Sequence, residues 1–262
     1  MKHIFVEGLQ GMGKSTLVQR LSEKYTGHHV YREGDYCPVE LAWCSYLSKE
    51  QYKHILDKFS EMKEEIEKWT VMEEDKFIVM YTRIITDIPG FHKYMEQYEI
   101  YNGRRTLEEL ESIVLKRYQK LGKTAAGIFE CALFQNIIED LMLFHKRTDD
   151  QVSQFYYKLK DAMKTEDFII FYLYDEDVDK NLSQIIRERC DEDGNQVWYQ
   201  LMLGYIETCP YGVENALKGY EGLLNHLKHR QALELRIIRE IFPEQSIVLP
   251  AKNYTGEQLI IR

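Results

Sequence analysis

Five short apolar segments recur along the chain, separated by longer stretches in which apolar and polar residues alternate with a helical period. The apolar segments cover residues 3–7, 29–32, 127–130, 168–174 and 246–249, and each is β-branched or aromatic with little strict alternation. Such segments are typical of strands in a parallel sheet, because both faces of the strand are buried. We therefore predict an α/β fold with a five-stranded parallel sheet and helices on both faces.

Residues 36–124 show apolar residues at steps of three and four, which predicts helices. The two clearest stripes are Tyr52, Ile55, Phe59, Met62, Ile66 and Trp69, and Leu107, Leu110, Val114, Tyr118 and Leu121. The segment is too long for an ordinary connection between strands, so we expect a helical insertion that caps an acceptor pocket. A further helical region is predicted over residues 215–241.

Composition indicates a globular protein without a broad basic surface. The chain has 262 residues, 44% hydrophobic and 29% charged, with 34 Lys and Arg against 43 Asp and Glu and a net charge of −9. At about 150 residues per domain, we expect residues 1–262 to form a single domain with the insertion inside it. The acidic balance argues against non-specific binding of nucleic acid or anionic membranes.

The cysteine pattern and the N-terminus bear on location. The five cysteines are scattered without a CxxC pair, which argues against structural zinc and a disulfide framework. Neither a signal peptide nor a run of about 18 apolar residues is present, so we expect a cytoplasmic protein that does not enter a membrane.

Residues 8–15, GLQGMGKS, match the phosphate-loop pattern G-x-x-x-x-G-K-[ST] between an apolar segment and a helical one. Glycines there let backbone N–H groups surround phosphate oxygens, while the lysine reaches the β- and γ-phosphates and the hydroxyl ligates Mg²⁺. We expect ATP and Mg²⁺ as cofactors. The predicted ATP-binding residues are Gly8, Gly11, Met12, Gly13, Lys14, Ser15 and Thr16.

Residues 5–16, FVEGLQGMGKST, resemble the opening of the thymidylate kinase and deoxynucleoside kinase group, in which a Glu-Gly pair begins the phosphate loop. The likeness continues with weaker motifs over most of the chain. It implies a P-loop kinase three-layer sandwich that transfers the γ-phosphoryl group of Mg-ATP to a nucleoside or nucleoside monophosphate. A non-nucleotide metabolite or an antibiotic hydroxyl is the alternative acceptor. The expected partner is this small molecule; a homodimer is allowed for.

The second apolar segment ends in Tyr31-Arg32-Glu33-Gly34, where the families resembled have Glu-Pro or Arg-Glu-Pro. The resemblance implies that Glu33 is the catalytic base facing the acceptor hydroxyl, at the sheet edge where α/β proteins bind ligands. Gly34 departs from the family pattern. The alternative is an exposed loop carboxylate paired with Arg32.

The third segment ends in Glu130, which the resemblance makes a Mg²⁺ ligand together with Ser15. These families have an arginine next, where this chain has Cys131, so either a residue such as Arg32 or Arg83 replaces its charge or the activity is altered or lost. The alternative is a carboxylate at a helix N-terminus, and both interpretations can hold at once.

Arg187 and Arg189 lie near the end of a helix that precedes residues 191–194. The arrangement resembles the lid of nucleoside and nucleotide kinases, so we predict a lid at residues 187–194 whose arginines act in catalysis on the polyphosphate. The alternative is a pair of cations favoured by the helix dipole.

The fourth segment permits a rival function, because it ends in Asp175-Glu176. A hydrophobic strand followed by Asp-Glu is the Walker B pattern, in which Asp175 would support Mg²⁺ and Glu176 would activate water. The protein would then be an ATP-hydrolysing switch.

Two features bear on the bound molecules. Aromatic residues available to stack a planar acceptor are Trp43, Tyr46, Tyr81 and Phe134, although each also suits a core. By position in the families resembled, the loop at residues 251–256 would lie beside adenine.

Overall fold

The computed structural model describes residues 1–261. Its strands are β1 (His3–Gly8), β2 (His29–Tyr31), β3 (Ser45–Leu47), β4 (Thr70–Glu73), β5 (Lys76–Val79), β6 (Gly127–Glu130), β7 (Phe168–Tyr174) and β8 (Ser246–Pro250). Its α-helices are α1 (Lys14–Lys24), α2 (Lys49–Lys58), α3 (Lys63–Lys68), α4 (Phe91–Glu96), α5 (Leu107–Tyr118), α6 (Gln135–Glu139), α7 (Asp149–Met163), α8 (Val178–Glu188), α9 (Val197–Thr208), α10 (Pro210–Glu214) and α11 (Gly219–Ile241).

The central sheet has five parallel strands in the order β2-β6-β1-β7-β8, which confirms the five predicted segments. In the register, Val6 of β1 lies opposite Glu130 of β6, and Gly8 lies opposite Leu173 of β7. All five strands therefore end at one edge, and the loops that follow β1, β2, β6 and β7 lie on that side of the sheet.

Helices cover both faces of this sheet, as predicted. Ile4 and Val6 face a core built with α1, α8 and the first half of α11. Phe5, between them in sequence, faces the opposite core, to which α5, α6, α7 and the second half of α11 contribute. Alternate residues of the strand thus pack into two cores, which explains why the consecutive residues Ile4, Phe5 and Val6 are all apolar.

The insertion differs from the prediction of an all-helical segment. It contains helices α2, α3, α4 and α5, but β3, β5 and β4 also form a three-stranded antiparallel sheet. The strands escaped detection because each has only three or four residues and Trp69, just before β4, continues the helical spacing of the preceding stripe. The insertion has its own core, in which Leu47 and Val79 of the small sheet pack with Ile55 and Phe91.

Two further observations concern the helices. Among residues 1–261, no helix is both long and apolar enough to cross a membrane. The long C-terminal helix begins at Gly219 rather than at the predicted residue 215, since Ala216 has a left-handed φ of 51° and Lys218 is extended.

Candidate functional site

The phosphate-loop pattern forms the connection from β1 to α1. Three glycines of the loop have positive φ values, a backbone region that residues other than glycine rarely adopt: 134° at Gly8, 79° at Gly11 and 89° at Gly13. At Gly8 an added Cβ would lie 2.3 Å from the backbone oxygen of Leu173 in β7. The loop conformation therefore depends on glycine at this position for both its backbone angles and its packing.

Lys14 folds back onto this loop. Its Nζ donates hydrogen bonds to the backbone oxygens of Gly8 (2.7 Å) and Leu9 (2.8 Å), and the side chain is buried. Both acceptors are neutral carbonyl oxygens, and an anionic oxygen would bind the ammonium group more strongly. Met12, in contrast, packs its side chain into the core, and its backbone N–H donates to the oxygen of Leu9 at 3.4 Å.

Ser15 and Glu130 lie together at the edge of the sheet. Ser15 Oγ donates to Glu130 Oε1 at 2.5 Å, and Arg32 Nη1 lies 3.6 Å from Glu130 Oε2. A hydroxyl and a carboxylate are oxygen ligands of the kind that Mg²⁺ takes, so the residues fit a magnesium site. Residues 1–261 contain no group of three or more His, Cys, Asp or Glu arranged for a metal. Mg²⁺ needs no such cage, because it binds through one or two carboxylates, phosphates and water.

Glu33 lies beyond the end of β2 and is half-buried. Trp43 Nε1 and Gln135 Nε2 both donate to its Oε1 at 3.0 Å, so Oε2 receives neither bond. The predicted alternative pair with Arg32 does not form, since Arg32 contacts Glu130 instead. Two fixed donors hold the carboxylate in one orientation, as a base that must meet an incoming hydroxyl requires.

In the loop after β6, a buried cysteine occupies the position where the families resembled have an arginine. Cys131 is buried with a φ of 56°, its N–H donates to the oxygen of Val6 at 3.1 Å, and burial raises the pKa of its thiol. Of the two suggested substitutes, Arg83 is bound to Asp35, whereas Arg32 is the one beside Glu130.

Glu7 secures the same loop from β1. Its Oε1 accepts from Leu133 N at 2.7 Å and its Oε2 from Phe134 N at 3.2 Å. Burial raises the pKa of Glu7 to about 8, although both hydrogen bonds act in the opposite direction. The Glu-Gly pair that carried the family resemblance thus fixes the segment between Glu130 and α6.

The predicted lid arginines lie at the exposed end of α8. This helix contacts the phosphate loop, since Asn181 Nδ2 donates to the oxygen of Gln10 at 2.8 Å. The guanidinium of Arg189 lies 5.3 Å from the ring centre of Trp198, on α9. Within residues 1–261 neither Arg187 nor Arg189 bonds to the phosphate loop, so their catalytic role remains a prediction.

Asp175 and Glu176 do not join the cluster around Ser15. Asp175 Oδ1 accepts from Asp177 N at 3.0 Å, at the start of α8, and its backbone N–H and oxygen bond to the side chain of Gln231. Glu176 is exposed. The local bonding explains Asp175 as part of the turn that begins α8.

Two of the four suggested stacking aromatics, Phe134 and Tyr81, belong to cores, which is the alternative that the sequence left open for them. Phe134 is fully buried, and Tyr81 donates its hydroxyl to Glu99. Trp43 is 45% exposed beside Glu33, and Tyr46 lines a surface cavity of the insertion. Trp43 is therefore the aromatic residue best placed for an acceptor.

The loop at residues 251–256 adjoins the phosphate loop. An added Cβ at Gly13 would lie 3.9 Å from Lys252 Cγ, and Arg20 of α1 stacks on the ring of Tyr254 with 5.3 Å between its Cζ and the ring centre. The sequence analysis placed this loop beside adenine by its position in the families resembled, and that contact stays a prediction.

Several residues beside the loop were not singled out from the sequence, namely Glu139, Asn181, His226, Arg230 and Glu234. All five are buried. In the sequence they are only polar residues within helical segments, which does not identify a site.

Neither a protein-family model nor a curated protein matches the chain. The site itself is therefore the ground for any functional conclusion.

Proposed function

We propose that the protein is an ATP-dependent phosphotransferase with the P-loop kinase sandwich of the thymidylate kinase and deoxynucleoside kinase group. The observation that carries this proposal is the contact of Ser15 Oγ with Glu130 Oε1, 2.5 Å apart. It joins the hydroxyl of the phosphate loop to a carboxylate on the adjacent strand. The proposed reaction moves the γ-phosphoryl group of Mg-ATP to a small acceptor, with a nucleoside or nucleoside monophosphate as the leading candidate.

Lys14 and the loop glycines would bind the polyphosphate. The loop N–H groups and the N-terminus of α1 favour negative charge, and Lys14 Nζ would exchange the oxygens of Gly8 and Leu9 for phosphate oxygens. Ser15 and Glu130 would hold Mg²⁺, which neutralises charge on the β- and γ-phosphates when bound. Arg32, 3.6 Å from Glu130 Oε2, supplies a cation near the position of the missing arginine.

Glu33 would act on the acceptor side. The carboxylate takes the proton of the attacking hydroxyl, and the bonds from Trp43 and Gln135 fix its orientation during that step. Residues 187–194 would close over the polyphosphate and exclude water, with Arg187 and Arg189 stabilising the charge of the transferring group. A hydroxylated metabolite or antibiotic remains the alternative acceptor.

A binding experiment tests the proposal directly. Calorimetry with a non-hydrolysable ATP analogue and Mg²⁺ should show one site per chain. A thermal-shift screen of nucleosides, nucleoside monophosphates and other hydroxylated metabolites, with the analogue present, should then identify one class that stabilises the protein further. Absence of any binding by the analogue or by ADP would overturn the proposal.

A further inference from the structure

A buried ionic cluster lies directly behind the phosphate loop. Its centre is Arg230 of α11, which is fully buried. Arg230 Nη1 bonds to Glu139 Oε1, Nε lies 3.1 Å from Glu234 Oε1, and Nη2 donates to the side-chain Oε1 of Gln10 at 3.0 Å. Through the hydrogen bonds of Nη1 and Nη2, Arg230 of α11 connects the phosphate loop to α6.

Both glutamates of the cluster have a further partner. His226 Nε2 lies 2.8 Å from Glu139 Oε2, and Tyr172 of β7 donates its hydroxyl to Glu234 Oε2 at 2.6 Å. Burial alone would raise the pKa of Glu139, but His226 and Arg230 lower it to about 2. The carboxylate opposite Arg230 is therefore ionised, and the arginine has a permanent counter-charge that keeps it in place.

This arrangement determines which way the amide of Gln10 points. A guanidinium can only donate hydrogen bonds, so Arg230 must face Oε1 of Gln10, and Nε2 is directed away from the cluster. The backbone oxygen of Gln10 is held from the other side by Asn181. Nε2 donates to no atom of residues 1–261, and Gln10 is only partly buried. A fixed, unused donor thus lies in the phosphate loop.

Helix α6 connects Gln10 to the proposed base. Gln135 and Glu139 are four residues apart and so share one face of the helix. Gln135 bonds to Glu33, the proposed base, and Glu139 bonds to Arg230, which holds Gln10. One face of α6 therefore supports both Glu33 and, through Arg230, the side chain of Gln10.

We propose that Gln10 is a catalytic residue whose Nε2 donates a hydrogen bond to the γ-phosphoryl group, and that Arg230 is the positioning residue that fixes this orientation. The inference rests on the proposed function. In the transfer, the bond between the γ-phosphorus of ATP and the bridging oxygen breaks, and this oxygen leaves with ADP. A bond from the γ-phosphorus to the acceptor oxygen forms, and the acceptor proton passes to Glu33. Gln10 exchanges no proton; its donor stabilises charge on the oxygens of the moving group.

The test compares binding of ADP with binding of a non-hydrolysable ATP analogue, both with Mg²⁺, by calorimetry. The Gln10→Glu variant keeps an acceptor for Arg230 but replaces the donor with a carboxylate. We expect ADP affinity within about twofold of wild type and a loss of about tenfold or more for the analogue, because the variant loses one hydrogen bond to a charged group and places a carboxylate beside the γ-phosphoryl group. Gln200→Glu, the same change at an exposed position of α9, should behave as wild type.

Arg230 is tested through the same ratio. Arg230→Met should lower the preference for the analogue over ADP, and Arg230→Lys should restore part of it, whereas a merely structural role would weaken both ligands equally. If Gln10→Glu does not fold, Gln10→Ala replaces it with the same expectation. An unchanged ratio in the folded variants would overturn this inference while leaving the phosphotransferase proposal intact; failure of the wild type to bind either nucleotide would overturn the proposal itself.

Discussion

Ser15 Oγ and Glu130 Oε1 lie 2.5 Å apart although 115 residues separate them in the chain. The pairing of β1 with β6 places Val6 opposite Glu130, and the phosphate loop then returns over this edge to begin α1 at Lys14. The hydroxyl and the carboxylate are thus brought together by the sheet order, and not by any local motif.

Lys14→Ala should remove most of the affinity for Mg-ATP while the fold persists. The side chain now bonds only to two loop oxygens, which water can replace, whereas a bound polyphosphate would lose its main cation. Calorimetry measures the binding, and circular dichroism verifies folding. Lys228→Ala, which removes an exposed lysine from α11, is the matched control. Unchanged ATP affinity in a folded Lys14→Ala protein would contradict the nucleotide site.

Glu130→Gln and Asp175→Asn distinguish the kinase from the ATP-hydrolysing switch. In the kinase, Glu130→Gln weakens the Mg²⁺ site and lowers phosphoryl transfer. Asp175→Asn acts mildly, because the Asp175 carboxylate only accepts a hydrogen bond from Asp177 N in the turn before α8. The switch requires the reverse order. Steady-state ATP turnover of both variants decides between them. A dominant effect of Asp175→Asn would move the metal site to the end of β7.

The sequence predicts the central sheet well, because its inner strands β1, β6 and β7 are short, mainly apolar runs that are buried almost throughout. The edge strands β2 and β8 are partly exposed, but they are still mainly apolar. The sequence predicts the insertion less well. There, β3, β4 and β5 are too short for alternation to show, and their neighbours in sequence carry strong helical spacing.

The same contrast holds for the site. Gly8, Lys14 and Ser15 are adjacent in sequence, so a local pattern predicts them. Arg230 and Glu139 contact each other although 91 residues separate them in the chain. In the sequence, each looks like an ordinary charged residue on the solvent-facing side of a helix. Only the packing of α6 against α11 shows that both are buried beside Gln10, so no spacing rule could have identified them.

Stability should fall as the pH rises from about 4.5 to about 8. Burial raises the pKa of Glu7 and of Glu40 from 4.5 to about 8, so in this window the unfolded chain releases protons that the folded chain keeps. Each group contributes a slope of at most about 1.4 kcal/mol per pH unit. Glu7→Gln should flatten the decline of the thermal unfolding midpoint between pH 5 and pH 8. The exposed variant Glu61→Gln should follow wild type; equal slopes in all three proteins would contradict the prediction.

Gly8→Ala should destabilise the protein and distort the phosphate loop. The new Cβ would lie 2.3 Å from the backbone oxygen of Leu173, and a φ of 134° alone costs a side chain about 1–3 kcal/mol. Gly204→Ala, inside α9 with open space around the added atom, should be neutral or stabilise by up to about 1 kcal/mol. Denaturant unfolding of both variants measures the difference. A Gly8→Ala protein as stable as wild type would show that the loop tolerates another conformation.

Glu33→Gln should keep ATP affinity and lower acceptor phosphorylation by about 10²–10⁴-fold, the usual contribution of a positioned general base. The amide preserves the size of the side chain, and its oxygen can still accept the bonds from Trp43 and Gln135. What it lacks is the capacity to take a proton from the acceptor hydroxyl.

Gln135→Leu separates basicity from orientation at the same site. It removes one of the two donors to Glu33 Oε1 without removing the carboxylate, so the base remains but is held by Trp43 alone. We expect a smaller loss than in Glu33→Gln, because the carboxylate that takes the proton is still present. Transfer rates across pH, measured with the acceptor identified by screening, compare the two variants. Full activity in Glu33→Gln would show that the strand-end carboxylate is structural, and the base would then have to be sought elsewhere along the face of α6 that carries Gln135 and Glu139.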